Sequence, residues 1–185
     1  MGDPEGLGWV GRVAVASWAA GIPLTAYNLG VRREPSVAVV ARWAVEARPR
    51  IGPGADSRVV FSFGANDATL EGGRVRVRAD EGVRALDAAL GHAAGLGLPA
   101  LVVGPPPVDD AAQAERIGAL SERFASACAS RRVPYVPVVE DLLRYGPWLT
   151  EARAGDGAHP GAGGYAQLAA LVHEPFLRWA RSASL

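Results

Sequence analysis

Two hydrophobic rhythms alternate along the chain. Residues 9–20, "WVGRVAVASWAA", have helical length and apolar content, and Gly21 and Pro23 stop them. "PLTAYNLG" (23–30) then reads as a short strand. "PSVAVVARWAVEAR" (35–48) returns to the helical pattern, with Pro35 suited to its first turn and Pro49 beyond its end. "SRVVFSFG" (57–64) predicts a buried strand closed by the turn Gly64-Ala65-Asn66-Asp67. Residues 79–95 are Ala/Leu-rich at helical spacing, and "LPALVVGPPP" (98–107) is a second buried strand broken by three prolines. Residues 109–132 predict a long amphipathic helix, acidic first and arginine-rich last, as the helix dipole favours. "VPYVPV" (133–138) is a short strand whose Pro137 argues for a sheet edge. A weak helix near Leu142, a loop over 146–160 and a helix over 161–181 complete the chain. "RVRVR" (74–78) fits a strand or a solvated connector equally well.

Strands alternating with helices of this length imply parallel βαβ units and a sheet covered on both faces. The expected fold is α/β, a flavodoxin-like three-layer α/β/α arrangement, in one domain spanning 1–185. Such folds begin with a strand that lies inside the sheet order 2-1-3-4-5. Here "MGDPEGLGWVGR" runs through a Gly/Pro turn straight into a helix. The expectation is therefore an N-terminally truncated domain that lacks its interior first strand.

Composition narrows the function. The chain is 49% hydrophobic and 21% charged, and 19 basic residues balance 19 acidic ones. Zero net charge gives no electrostatic case for nucleic acid or an anionic membrane. Every basic residue is arginine, which with the abundant Ala, Gly, Val and Pro points to a GC-rich genome rather than to phosphate binding. No apolar stretch approaches the roughly 18–20 residues that span a bilayer. With no signal peptide visible, the expected location is cytoplasmic, although an upstream segment would be the place for an export signal. The lone Cys128, in the small-residue run "FASACAS", reads as a buried structural thiol. Nothing in the sequence calls for a metal or cofactor, and nothing bears on oligomeric state.

Active sites of open α/β sheets form at the carboxyl ends of the strands. Three short blocks stand there: Asn28-Leu29-Gly30, Gly64-Ala65-Asn66-Asp67, and Asp156-Gly157-Ala158-His159 before the last helix. At a spacing of three, a carboxylate on a tight turn can accept from an imidazole Nδ1 and leave Nε2 as a general base. The plainer reading makes Asp156 a helix cap and His159 a surface residue. Gly30 can offer an unobstructed backbone N–H, and Asn66 a carboxamide N–H, to a developing oxyanion. Each alone is equally an ordinary turn.

Taken in order, these blocks resemble the SGNH (GDSL-type) hydrolase family, whose signature is Gly-Asp-Ser after the first strand, Gly after the second, Gly-x-Asn-Asp after the third and Asp-x-x-His before the last helix. The resemblance implies an ester hydrolase working by acyl transfer to water, without metal or cofactor, on a small-molecule ester. It implies His159 as base, Asp156 as its partner, and Gly30 and Asn66 as oxyanion donors, with Gly64 and Asp67 supporting the turn. The substrate stays open among the family's esters, lipids, thioesters and acylated carbohydrates.

The departure is the first block. Gly2-Asp3-Pro4 is no Gly-Asp-Ser; in similar members a Gly-Asp-Pro-x-Gly-x-Gly-Trp stretch follows the nucleophile on the loop into the first helix, as "GDPEGLGWVGR" would. The expectation is a nucleophilic serine upstream of Met1, through either a start assigned inside the gene or a truncated gene. None of Ser17, Ser36, Ser57 and Ser62 follows a Gly-Asp, and there is no G-x-S-x-G elbow. Without its nucleophile the chain would be nearly inert, the loss being about 10⁶ in a serine hydrolase. The alternative from another class is a non-catalytic ligand-binding module on the same fold.

Overall fold

In the computed structural model, residues 2–144 and 146–182 are described. They pack into two units. One comprises 29–105 and 119–137; the other comprises 2–28, 106–118 and 138–182.

The first of these holds the sheet. Strands β1 (Val59–Phe61), β4 (Ala100–Val103) and β5 (Tyr135–Val136) run parallel in the order β1-β4-β5. These are positions 3, 4 and 5 of the expected order, and β5 forms the edge that Pro137 foretold, since proline has no N–H to donate to a further strand. Helices α2 (Ser36–Ala47) and α3 (Ala79–Gly95) pack on one another. Trp43 of α2, Phe61 of β1, Leu86 of α3 and Val102 of β4 share one core with Phe124 and Cys128 of α4 (Ala111–Ser130). Leu101 and Val103 point the other way by strand alternation and are equally buried. A parallel sheet needs this two-sided cover, and the unbroken apolar run of β4 supplies it.

In the other unit α1 (Gly8–Ala19) lies against α7 (Ala162–Arg181), and α6 (Trp148–Ala154) packs on α7 and on α5 (Val139–Arg144). Val13, Trp148, Leu168 and Val172 are buried there.

Three expectations change, and one left open is decided. Residues 23–30 are not in a ladder; a strand exists only through its neighbour's hydrogen bonds, and none of the described residues pairs with this one. The predicted loop 146–160 contains α6, for which Trp148 and Ala152, one turn apart, supply a buried face. Pro35 sits at the N-cap of α2, just before its first turn. Finally, Arg74–Val75 of "RVRVR" forms β3 of a small antiparallel hairpin with β2 (Leu70–Glu71), while the residues beyond leave the ladder.

Candidate active site

The loop between α6 and α7 is shaped by a single carboxylate. Asp156 Oδ1 accepts the backbone N–H groups of Ala158 (3.0 Å) and His159 (2.9 Å), closing an Asx turn. That turn brings the imidazole back over the same side chain, and His159 Nδ1 lies 2.8 Å from Asp156 Oδ2. The bond assigns the proton to Nδ1 and leaves Nε2 as the basic nitrogen. Partial burial pushes the Asp156 carboxyl up, but the two backbone donors and the imidazole outweigh it and hold it at about 2. Both side chains remain over a third exposed, so the pair is open to a small reactant.

Neighbouring segments fix the loop. Asp109 N–H donates to Gly157 O (2.8 Å), and Arg153 Nη2 donates to the Asp109 carboxylate (2.7 Å). On the far side Gly164 N–H donates to Glu151 Oε2 at 2.7 Å, capping α7 from α6. Gly2 abuts the loop as well: a Cβ there would stand 2.1 Å from Pro160 O and 3.0 Å from His159 O, so only glycine fits.

The second cluster lies in the sheet-bearing unit. Gly64 ends the segment after β1 at φ 117°, where a side chain would be strained and would press on Phe124. Asp67 N–H donates to Gly64 O, closing the turn. Asp67 is buried, and its Oδ1 accepts the backbone N–H of Ser36 at 2.7 Å. Ser36 opens α2, and Pro35 before it has no capping side chain, so a carboxylate 31 residues away in sequence supplies the cap. Burial raises the Asp67 pKa, with Ser36 opposing it. Asn66 Nδ2 donates to Glu34 O at 3.1 Å, and Arg76 Nη1 donates to Arg33 O at 2.7 Å, where Arg33 sits at φ 64°. The Asn66-Asp67 pair thus holds the segment that follows Gly30, a support role broader than a turn. Gly30 itself is exposed.

Residues 2–8 form the loop into α1. Asp3 accepts Gly8 N–H (2.7 Å), Glu5 N–H (3.1 Å) and Arg12 Nη1 (2.5 Å), and the Arg12 guanidinium holds its carboxyl well below the usual carboxylate range. A cavity of about 310 Å³ opens beside it, lined by Asp3, Leu7, Trp9, Asn28 and Tyr165 among others. Trp9 reads in sequence as core, because a helical tryptophan gives no sign of the cavity beside it. Trp18, also expected in the core, is 61% exposed with Nε1 donating to Leu24 O. Trp148, in the stretch expected to be a loop, is buried, with Nε1 donating to Pro107 O at 2.9 Å. Cys128 is fully buried and its thiol pKa is pushed up to about 11, as a structural thiol requires. Among the described residues no group of three or more His, Cys, Asp or Glu side chains could hold a metal ion. No helix among them is long and apolar enough to cross a membrane.

The Asp-x-x-His block, joined by its hydrogen bond, thus stands before α7, and the Gly-x-Asn-Asp block follows β1 of the parallel sheet. The model of the GDSL-like Lipase/Acylhydrolase family matches residues 2–167. The chain belongs to that family, whose substrates are small-molecule esters, and the membership supports a hydrolase function. None of the curated proteins matches its sequence. Its fold is similar to that of a lipase/acylhydrolase from Enterococcus faecalis (TM-score 0.73, 20% identity, covering 95% of this chain and 88% of that one). It is also similar to a psychrotrophic esterase from Pseudoalteromonas sp. (0.72, 15%, 97% and 91%). A third likeness is to an acetylxylan esterase from Geobacillus stearothermophilus (0.70, 15%, 96% and 83%).

Proposed function

We propose that the protein is a serine ester hydrolase in which His159 is the general base and acid, Asp156 its orienting partner, and Gly30 N–H and the Asn66 carboxamide donors to the oxyanion. The observation that carries this reading is the 2.8 Å contact of His159 Nδ1 with Asp156 Oδ2. The nucleophile on this reading is the serine of the family's Gly-Asp-Ser block. Two serines near the blocks are unsuited to nucleophilic attack, since Ser17 and Ser36 are fully buried and Ser17 Oγ donates to Val13 O.

On this reading the serine Oγ bonds to the ester carbonyl carbon while His159 Nε2 takes its proton, and the carbonyl π electrons move to the oxygen. Asp156 offsets the imidazolium charge. The tetrahedral intermediate expels the alcohol, which takes the proton from Nε2, leaving an acyl-serine. Water repeats the sequence, giving its proton to Nε2 and releasing the acid and free serine.

The test is hydrolysis of p-nitrophenyl acetate and butyrate by the full-length protein and its His159→Ala variant. The expected result is turnover reduced by about 10⁴- to 10⁶-fold in the variant. Turnover that survives His159→Ala would remove the assignment.

A further inference from the structure

One ion pair touches the supports of both donors. Arg42 of α2 grips the Glu34 carboxylate, Nε lying 2.9 and 2.8 Å from its two oxygens, and Nη2 bonds it as well. The same Nη2 donates to the Leu29 carbonyl at 2.8 Å. The peptide joining Leu29 to Gly30 is planar and trans, so its C=O and the Gly30 N–H point in opposite directions in one plane. Holding the Leu29 oxygen therefore aims the Gly30 N–H. At the other end of the pair, the Glu34 carbonyl accepts one of the two Asn66 Nδ2 hydrogens at 3.1 Å, which fixes the carboxamide plane and the direction of the second. Both side chains are about four-fifths buried (21% and 18% exposed), so water competes little for the pair.

We propose that the Glu34–Arg42 pair is the positioning device of the oxyanion site, aiming the Gly30 N–H through the Leu29 carbonyl and the Asn66 carboxamide through the Glu34 carbonyl. The inference rests on the reading of Gly30 and Asn66 as oxyanion donors. Neither side chain of the pair needs to touch substrate. Arginine suits the position because its planar fork reaches the carboxylate and the peptide carbonyl together, which a lysine ammonium on a single flexible stem would not. Pre-aimed donors act without reorganisation when charge develops, so the pair serves the transition state rather than ester binding.

The test uses Arg42→Met, Arg42→Lys and Glu46→Gln. Glu46 also accepts from Arg42, at 2.7 Å, but on Nη1 and not on the Nη2 that reaches the Leu29 carbonyl. On the full-length enzyme, KM for p-nitrophenyl acetate is compared with Ki for an alkyl boronic acid, which adds to the serine as a tetrahedral anion. Both constants are independent of how much of a variant is folded. Arg42→Met is expected to raise Ki about 10- to 100-fold, short of the 10²–10³ that deleting a donor costs. KM should stay within about threefold, with Arg42→Lys only partly restoring Ki and Glu46→Gln leaving it unchanged. Unchanged Ki in Arg42→Met, or Ki and KM rising together, overturns the proposal. A second readout does not depend on catalysis: the ¹⁵N order parameter of Gly30 should fall from about 0.85 towards 0.6 or below in Arg42→Met and hold in Glu46→Gln. A rigid Gly30 in Arg42→Met overturns the inference. Turnover insensitive to His159→Ala instead overturns the functional reading beneath it.

Discussion

Asp156 serves His159 twice: Oδ2 faces the imidazole Nδ1 at 2.8 Å, and Oδ1 accepts the backbone N–H of the same residue at 2.9 Å. The first contact sets the tautomer and the second sets the turn. Substitutions can separate them.

Asp156→Asn keeps an oxygen for the Ala158 and His159 N–H groups but can present an amide donor to Nδ1, which favours the tautomer protonated on Nε2. Turnover should fall by about 10⁴, while the melting temperature stays within a few degrees of the parent. Asp156→Ala removes both contacts and should lower the melting temperature as well. Paired measurements of kcat and Tm on the full-length protein check this. Parental turnover in Asp156→Asn would exclude an orienting role.

Asp67 shifts the opposite way from Asp156, and its pH dependence has the opposite sign. Burial raises its folded pKa above the unfolded value of about 3.9, so the folded state binds the proton more tightly. Ionisation then costs stability as pH rises from the unfolded pKa to the folded one, and below about 3.9 the cost is absent. Asp67→Asn keeps an acceptor for Ser36 N–H and removes the ionisation. Its Tm relative to the parent should be higher at pH 7 than at pH 3.5. A difference that is flat with pH, or of the reverse sign, would mean that the cap's charge outweighs its desolvation.

The fold was legible where periodicity is strong. Residues 79–95 form α3 to the residue, and the unbroken apolar run at 98–103 became β4, because burial on both faces admits no polar position. The strand expected at 23–30 failed for a non-local reason: its composition is strand-like, but pairing depends on a neighbour that no local pattern can report. Within the candidate site, Asp156 and His159 were legible because their geometry is local, three residues on one turn. The Asp67 cap of α2 and the Glu34–Arg42 chain were not, since each joins segments whose proximity exists only after folding. Pro35, a helix N-cap with no side-chain acceptor, was the one hint that a cap had to come from elsewhere. Trp148 misled because a tryptophan among Gly and Pro reads as a loop, while its indole N–H in fact ends on Pro107 O inside the core.

The start of α7 offers a last test, because it anchors the His159 loop through Glu151 and two glycines. Glu151 Oε2 accepts the Gly164 N–H, so Glu151→Ala deprives the helix of its cap and should cost about 1 kcal/mol. For a chain of this length that is roughly 2–4 °C in Tm. Alanine at 164 would place Cβ 2.4 Å from Pro160 Cβ and 3.1 Å from Trp148 Cα, a ring and a backbone that cannot swing away. At 163 the tightest contact is 2.4 Å to Glu151 Oε1, the far end of a movable side chain, with Pro147 Cγ next at 3.1 Å. Gly164→Ala should therefore cost about 1–3 kcal/mol, and Gly163→Ala less. Because Pro160 adjoins His159, relief of the clash at 164 should also move the imidazole, lowering kcat more than Gly163→Ala does. Thermal denaturation and steady-state kinetics of the three variants decide it: Gly163→Ala proving the more damaging to both would show that Glu151, rather than Pro160, sets the geometry of the loop.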